Sequence, residues 1–266
     1  MTTGTAQIMD VTTRAAEAHA SAGAGWDAAV HHMIRSLIDR LAAAKGLPAP
    51  GLDRPHLPDA EAALDELGPL DGWHILDIGE IHQQLLELTV TTDKHGRATA
   101  RKQSLARRGE QGSWYTPPEV AAAMCALSIG PQLDRLGEDP DPWNLLNITA
   151  IDPACGAGVF LVEAAQLIAN RLARRLFGIT TPDVPVRAVE AVLPDVMVEC
   201  VFGIDVDPVA VDLAKTTLWI RIGGRRPHGF LDRNVIVGDA LNLDLPPAYA
   251  ERRGEPATAE ERRAAA

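Results

Sequence analysis

Three carboxylates stand where short apolar runs of this sequence end: Asp152 after Leu145–Ile151, Asp205 after Val198–Ile204, and Asp239 just beyond Val235–Val237. The first opens the turn Asp152-Pro153-Ala154-Cys155-Gly156-Ala157-Gly158, which leads into a long helical pattern. Glycines at a strand-to-helix turn remove the Cβ wall, so a ligand can press against the backbone and meet the free N–H groups of the helix start. An acid at the head of that turn suits a ligand carrying an ammonium or sulfonium group better than a pyrophosphate. The dinucleotide pattern GxGxxG also fails, because position 161 is Leu, which disfavours a nucleotide-dependent oxidoreductase. In doubly wound sheets an acid after the second strand accepts hydrogen bonds from ribose hydroxyls, which makes Asp205 the ribose candidate. Asp207, ahead of Pro208, is expected to cap the next helix. The third acid, in Gly238-Asp239-Ala240, is placed to accept from an adenine amino group.

Bringing three strand tips together requires parallel strands joined by crossovers. The three apolar runs read as strands, and Gly158–Phe177 and Pro208–Ile222 read as helices. Strand–helix–strand–helix–strand predicts an α/β fold with a doubly wound parallel sheet. Asp152 and Asp205 lie 53 positions apart, against ~20 in a compact dinucleotide unit. The excess is the long helix plus a Pro-rich insertion at 179–197, read as holding one short helix at most. Ahead of the sheet, Thr116-Pro117-Pro118-Glu119 combines a capping Thr, a first-turn Pro and the Glu of a capping box, and predicts a helix to about Ser128. Earlier, Val30, Met33, Ile34, Leu37, Ile38 and Leu41 form one helical stripe over 27–45. Shorter helices are expected at 59–67 and 75–90, and residues 1–25 read as a frayed helix or a disordered arm. The expected domains are a helical region 1–112 ending in a basic linker, a ligand-binding α/β domain 113–249, and a charged tail 250–266.

The chain has 266 residues, of which 46% are hydrophobic but only 4% aromatic, so Ala, Val, Leu and Ile must fill the core. Lys plus Arg is 25 against 36 Asp plus Glu, a net charge of −11, which lacks the overall basic footprint of a stand-alone nucleic-acid binder. Local basic patches or another chain would have to supply DNA contact. One patch exists. Lys94, Arg97, Arg101, Lys102, Arg107 and Arg108 fall within fifteen residues that hold no acid, whereas residues 1–80 carry 12 acidic and 5 basic side chains. Such a run is either a solvated loop or a phosphate-contacting segment. Cys125, Cys155 and Cys200 are far apart with no Cys/His cluster, so neither a metal site nor a disulfide framework is expected. With no signal pattern and no apolar run near ~18 residues, the chain is expected to be cytoplasmic.

These motifs, in this order, resemble the adenine-specific (amino-methylating) DNA methyltransferases of type I and type IIG restriction–modification and related phage-defence systems. Tyr115-Thr116-Pro117 is similar to their motif before the first strand. Asp152 to Phe160 is similar to DPACGSGxF, with Ala157 in place of Ser. Gly203 to Pro208 and Gly238-Asp239 are similar to their second and third motifs. Ile78-Gly79-Glu80-Ile81, with Leu85-Leu86-Glu87, resembles a helix leading into the domain, though His82 replaces the usual Tyr, and Phe230–Asn234 resembles the segment entering the third strand. The resemblance covers about 75 to 249. It implies S-adenosylmethionine as cofactor in a Rossmann-like fold. Tyr115 and Thr116 would line the methionine end. Asp152 and the backbone of Ala154, Cys155, Gly156, Ala157 and Gly158 would hold the methionine amino group. Asp205 would take the ribose, and Asp239 with the Ala240 backbone the adenine.

The family's catalytic motif, Asn/Asp-Pro-Pro-Tyr/Phe on a fourth strand, grips a flipped adenine and stacks on it. The nearest string here, Asp244-Leu245-Pro246-Pro247-Ala248-Tyr249, has the wrong spacing and no apolar strand before it. The sheet is thus expected to be incomplete, with no catalytic or metal-binding residue in this chain. The expected partners are DNA and a second polypeptide supplying the catalytic motif and target recognition. The chain alone is expected to be inactive and to bind the cofactor weakly or not at all. The alternative is a non-catalytic S-adenosylmethionine-binding or interaction subunit.

Overall fold

The computed structural model describes residues 5–102, 116–136 and 141–242, and the chain divides into two units between Tyr115 and Thr116. In the first unit, α1 (Thr5–Ser21), α2 (Trp26–Ala44), α3 (Pro58–Asp65) and α4 (Ile75–Leu86) precede an antiparallel hairpin, β1 (Leu88–Thr92) and β2 (Ala98–Lys102). The α2 stripe is buried as its spacing requires. Within the stretch expected to be a frayed helix or a disordered arm, residues 5–21 form a packed helix. Helix α1 buries Val11, Thr12, Ala15, Ala16 and His19, so small residues, rather than a sharp apolar pattern, pack it against its neighbours. The hairpin is likewise unforeseen. Its outward positions are Thr89, Thr91, Thr99 and Arg101 and its strands are only five residues each, which leaves a short, weak period-two signal.

In the second unit, α5 (Pro118–Leu136) is followed by a 3-10 turn at Pro142–Asn147, β3 (Ala150–Asp152), α6 (Val159–Leu176), α7 (Val186–Cys200), β4 (Val201–Asp205), α8 (Pro208–Arg221) and β5 (Val235–Val237). The three strands are parallel in the order β3-β4-β5, with Asp152 opposite Gly203 and Asp205 opposite Val237. Three expectations are corrected. The run 145–151 does not form one strand, because Asp141 caps a turn at the Trp143 N–H and Pro142 starts it; these helix-start signals outweigh the apolar run. The insertion is largely a 15-residue helix that continues to Cys200 through Pro194. Burial of Val189, Val192, Leu193, Val196, Met197 and Cys200 along its face offsets a proline cost of about 3 kcal/mol. Helix α5 also runs through Pro131 to Leu136, past the expected stop.

The parallel sheet is present, but its second winding lies beyond the three described strands. Residues of α6 and α8 (Leu161, Ala165, Val211, Ala214, Leu218) share one core with Val201 and Val235, so both crossover helices cover the same sheet face. Adding strands in one direction with right-handed crossovers keeps the helices on one side, and a second layer needs a reversal of strand order. Among the described residues no such reversal occurs.

Candidate functional site

The C-terminal tips of β3, β4 and β5 carry the three carboxylates, and they are joined to one another. The Asp205 carboxylate accepts from the Gly156 N–H at 2.9 Å and, through its other oxygen, from the Asp207 N–H at 2.9 Å. The Asp205 carbonyl accepts from the Gly238 N–H, and the Ile204 carbonyl from the Cys155 N–H, both at 2.9 Å. The glycine turn is therefore fastened to β4 and β5 is fastened to the same residue, making Asp205 the hub of the tips. Its oxygens each retain a lone pair for further donors. Asp207 caps α8 through the Val209 N–H at 2.8 Å, as expected.

Asp152 is half-buried and turns its carboxylate onto the Ala154 N–H at 3.1 Å. Burial, and then the nearby Asp205 charge, push its carboxyl above the ordinary carboxylate range. Two acids close enough to repel form a place where a cationic ligand relieves a standing cost. Above the turn the space is open. Gly156 has φ +51°, and a Cβ placed there would meet nothing within 4 Å. An ammonium held by carboxylates over an open glycine backbone fits this donor and acceptor set, as does a ribose against the remaining Asp205 lone pairs.

The other two glycines serve packing. Gly158, at φ +86°, brings the start of α6 onto α8, with Ala214 Cα 3.1 Å from the position of an added Cβ. Thr217 Oγ1 donates to the Ala157 carbonyl at 2.9 Å and ties the same junction. Gly203 makes room for Leu161, whose Cδ1 would lie 2.8 Å from an added Cβ, and for Cys155 Sγ at 3.0 Å. The close approach of helix and strand that a third helix glycine provides in dinucleotide sites is provided here from the strand side.

Asp239 folds its own turn, accepting from the Leu241 N–H at 2.9 Å and the Asn242 side-chain amide at 2.6 Å, and Ala240 beside it is half-buried. Cys155 is buried beneath the loop, and burial, aided by Asp205 and Asp152, pushes its thiol far up. Thr116 stands just ahead of α5, whereas Tyr115 lies outside the described residues, as does the Asp244–Tyr249 string. Two supports escaped the sequence. Cys125 of α5 contacts the Phe160 carbonyl at 3.7 Å, and burial lifts its thiol to about 11. The Asn234 side-chain amide, buried, donates towards the carbonyls of Met197, Val198 and Val201 at 2.8–3.2 Å, while the Asn234 backbone carbonyl accepts from the Gly203 N–H. It pins the end of α7 and the start of β4 to the strand that carries the third tip.

Residues 147–219 match the family model of the RMKL-like methyltransferase domain (UPF0020). A methyltransferase-family domain is present. The match takes in β3, the glycine turn, α6, α7, β4 and most of α8, and thus Asp152 and Asp205 but not Asp239. A methyltransferase domain implies a methyl donor of the S-adenosylmethionine type. A search of the curated proteins finds no match. No described helix is long and apolar enough to cross a membrane, and no cluster of His, Cys, Asp or Glu among the described residues could hold a metal ion.

Proposed function

We propose that residues 116–242 are the cofactor-binding portion of an S-adenosylmethionine-dependent, adenine-specific DNA methyltransferase of a restriction–modification or phage-defence system. The observation that carries this reading is the bond from Gly156 to Asp205, which sets an open glycine turn between two neighbouring strand-tip acids. S-adenosylmethionine, when bound, supplies an electrophilic methyl group. Asp152 and the Ala154–Gly158 backbone hold the ammonium of its methionine, with Thr116 along that end. Asp205 accepts from the ribose hydroxyls through the lone pairs that Gly156 and Asp207 leave free. Asp239 and the Ala240 backbone meet the adenine. The order and wording of the motifs favour adenine in DNA as the methyl acceptor.

The catalytic motif and target recognition are assigned to a strand beside β3, brought by a second polypeptide. In open α/β sheets the ligand crevice forms where strand order reverses, next to the first strand. Here β3 is an edge strand among the described residues, and Ile151 upon it is 52% exposed. Helix α5, which reaches the start of α6 through Cys125, turns Val120, Met124 and Leu127 to solvent at 47%, 53% and 80% exposure. An apolar helix face beside an open strand edge suits a further strand.

Saturation-transfer NMR with S-adenosylhomocysteine tests the cofactor. Weak contact is expected with the chain alone, because the turn is already fastened, and no contact at about 1 mM ligand overturns the reading. The chain alone should transfer no labelled methyl to DNA. The complex recovered with its native partner should label adenine in duplex DNA, and label on cytosine or RNA would overturn the acceptor. A complex that binds the cofactor but transfers nothing would point to a non-catalytic subunit.

A further inference from the structure

We infer that the β1–β2 hairpin is a grip for the phosphate backbone of duplex DNA, an inference that takes its acceptor from the reading above. The five cations in residues 1–80 are engaged. Arg14 is bidentate on Glu66, Arg40 pairs with Glu61 and Asp65, Arg54 with Asp39 and Glu61, Arg35 donates to the Asp53 carbonyl and Lys45 to the Asp71 carbonyl. The hairpin differs. Lys94, Arg97 and Arg101 are exposed, and among the described residues none of them has an ion-pair partner. The one acid of the hairpin is turned inward to its own loop, where Asp93 Oδ1 accepts from the N–H groups of His95 at 2.8 Å and Arg97 at 2.9 Å.

The hairpin is also built to hold its shape. Five residue pairs register between its strands, from Leu88 with Lys102 to Thr92 with Ala98. Its second strand is tied to α1 by the Ala98 N–H to Ser21 Oγ at 3.0 Å and the Ala100 N–H to Glu17 Oε1 at 2.6 Å. With Ala98 buried against α1, alternation along the strand puts Thr99 and Arg101 on the opposite, outward face. Thr89 and Thr91 share that face through their register with Arg101 and Thr99. The Thr89 and Thr91 hydroxyls donate across the ribbon to the Arg101 and Thr99 carbonyls, which leaves the cations, with the Thr99 hydroxyl, as the groups that position a protein on a phosphate backbone. The acidic balance of residues 1–80, with 12 acids to 5 bases, repels DNA and makes this ribbon the approach on the helical unit. Charge complementarity thus selects a polyanion, and the ribbon's width suits the groove of a duplex.

The test measures anisotropy of a labelled duplex with the full chain across about 50–200 mM salt, comparing wild type with the combined Lys94→Gln, Arg97→Gln, Arg101→Gln variant. Counterion release predicts that the variant lowers the salt slope by about two to three and weakens low-salt binding at least about tenfold. An unchanged slope overturns the inference, as does tighter binding to single-stranded RNA than to the duplex. Asp205→Ala serves as a separate arm. Retained DNA slope with lost S-adenosylhomocysteine contact supports the hairpin independently of the cofactor site. An unchanged slope in the triple variant with ligand contact retained counts against the hairpin alone.

Discussion

The Gly156 N–H and the Asp205 carboxylate meet at 2.9 Å across 49 positions of sequence. Asp205 is thus both a ligand candidate and the fastener of the turn that faces the ligand. Substituting it does two things at once, and the two effects can be read separately.

Asp205→Ala leaves the Gly156 and Asp207 N–H groups without their acceptor, which should cost about 1–3 kcal/mol of stability. S-adenosylhomocysteine contact should vanish. A variant with unchanged melting temperature and unchanged ligand signal would remove Asp205 from both roles.

Asp152→Asn should have the opposite sign on stability. The wild-type carboxyl is held above its ordinary 3.8 by burial and by Asp205, so its ionised form burdens the fold. The amide keeps an acceptor for the Ala154 N–H and removes the charge. At pH 7 a melting temperature raised by about 2 °C is expected, together with weaker ligand contact. The wild type regains the difference as pH falls through its raised carboxyl value towards 3.8. Thermal melts at pH 7 and pH 4 check this, and a variant less stable than wild type at pH 7 would contradict it.

The two turn glycines should separate in their responses. Gly156→Ala meets open space and bears only the left-handed backbone cost, about 1–2 kcal/mol. Its new methyl projects where the ligand presses, and ligand contact should weaken about tenfold. Gly158→Ala adds a collision with Ala214 and should cost about 2–4 kcal/mol. Equal losses of stability in the two variants would refute the division between ligand-facing and packing glycines.

The helical unit carries a different titration. His19 is buried with both ring nitrogens unpaired, and its ring lies 5.2 Å from that of His32. Burial, then the neighbouring His32, lowers its value from 6.5 to about 4. The unfolded chain therefore binds the proton first, and stability falls as pH drops from 6.5 towards 4 by an amount of order 3 kcal/mol. His19→Leu should flatten that fall and raise stability at neutral pH. Melts of both proteins at pH 7 and pH 5 measure it, and parallel losses on acidification would exclude His19 as the cause.

The tips were legible because strand-end acids and turn glycines are local signals. Each motif marks its own strand end, and β5 and α8 fall almost where periodicity placed them. Helix α7 was obscured because Pro194 is a strong local breaker, while the burial that outweighs it is tertiary. The role of Gly203 was illegible for the same reason, since its missing Cβ matters only against Leu161 on a neighbouring element. The failed GxGxxG match at position 161 has the same origin. The small residue sits on the strand and the large one on the helix, an exchange visible only once both are packed. Asn234 likewise gave only a resemblance to a segment. Its role depends on three carbonyls that lie 33–37 positions away.

The burial of Cys155 beneath the glycine turn makes that turn its own clock. Only the thiolate attacks a maleimide or a disulfide reagent, and this thiol is 3% exposed and held far from ionisation. Modification must await the moment when the Cys155 N–H lets go of Ile204 and the loop lifts. The pseudo-first-order labelling rate, read by peptide mass spectrometry to separate it from Cys125 and Cys200, therefore reports the population of lifted loops. Any ligand that rests on the closed turn slows that rate in proportion to its own occupancy.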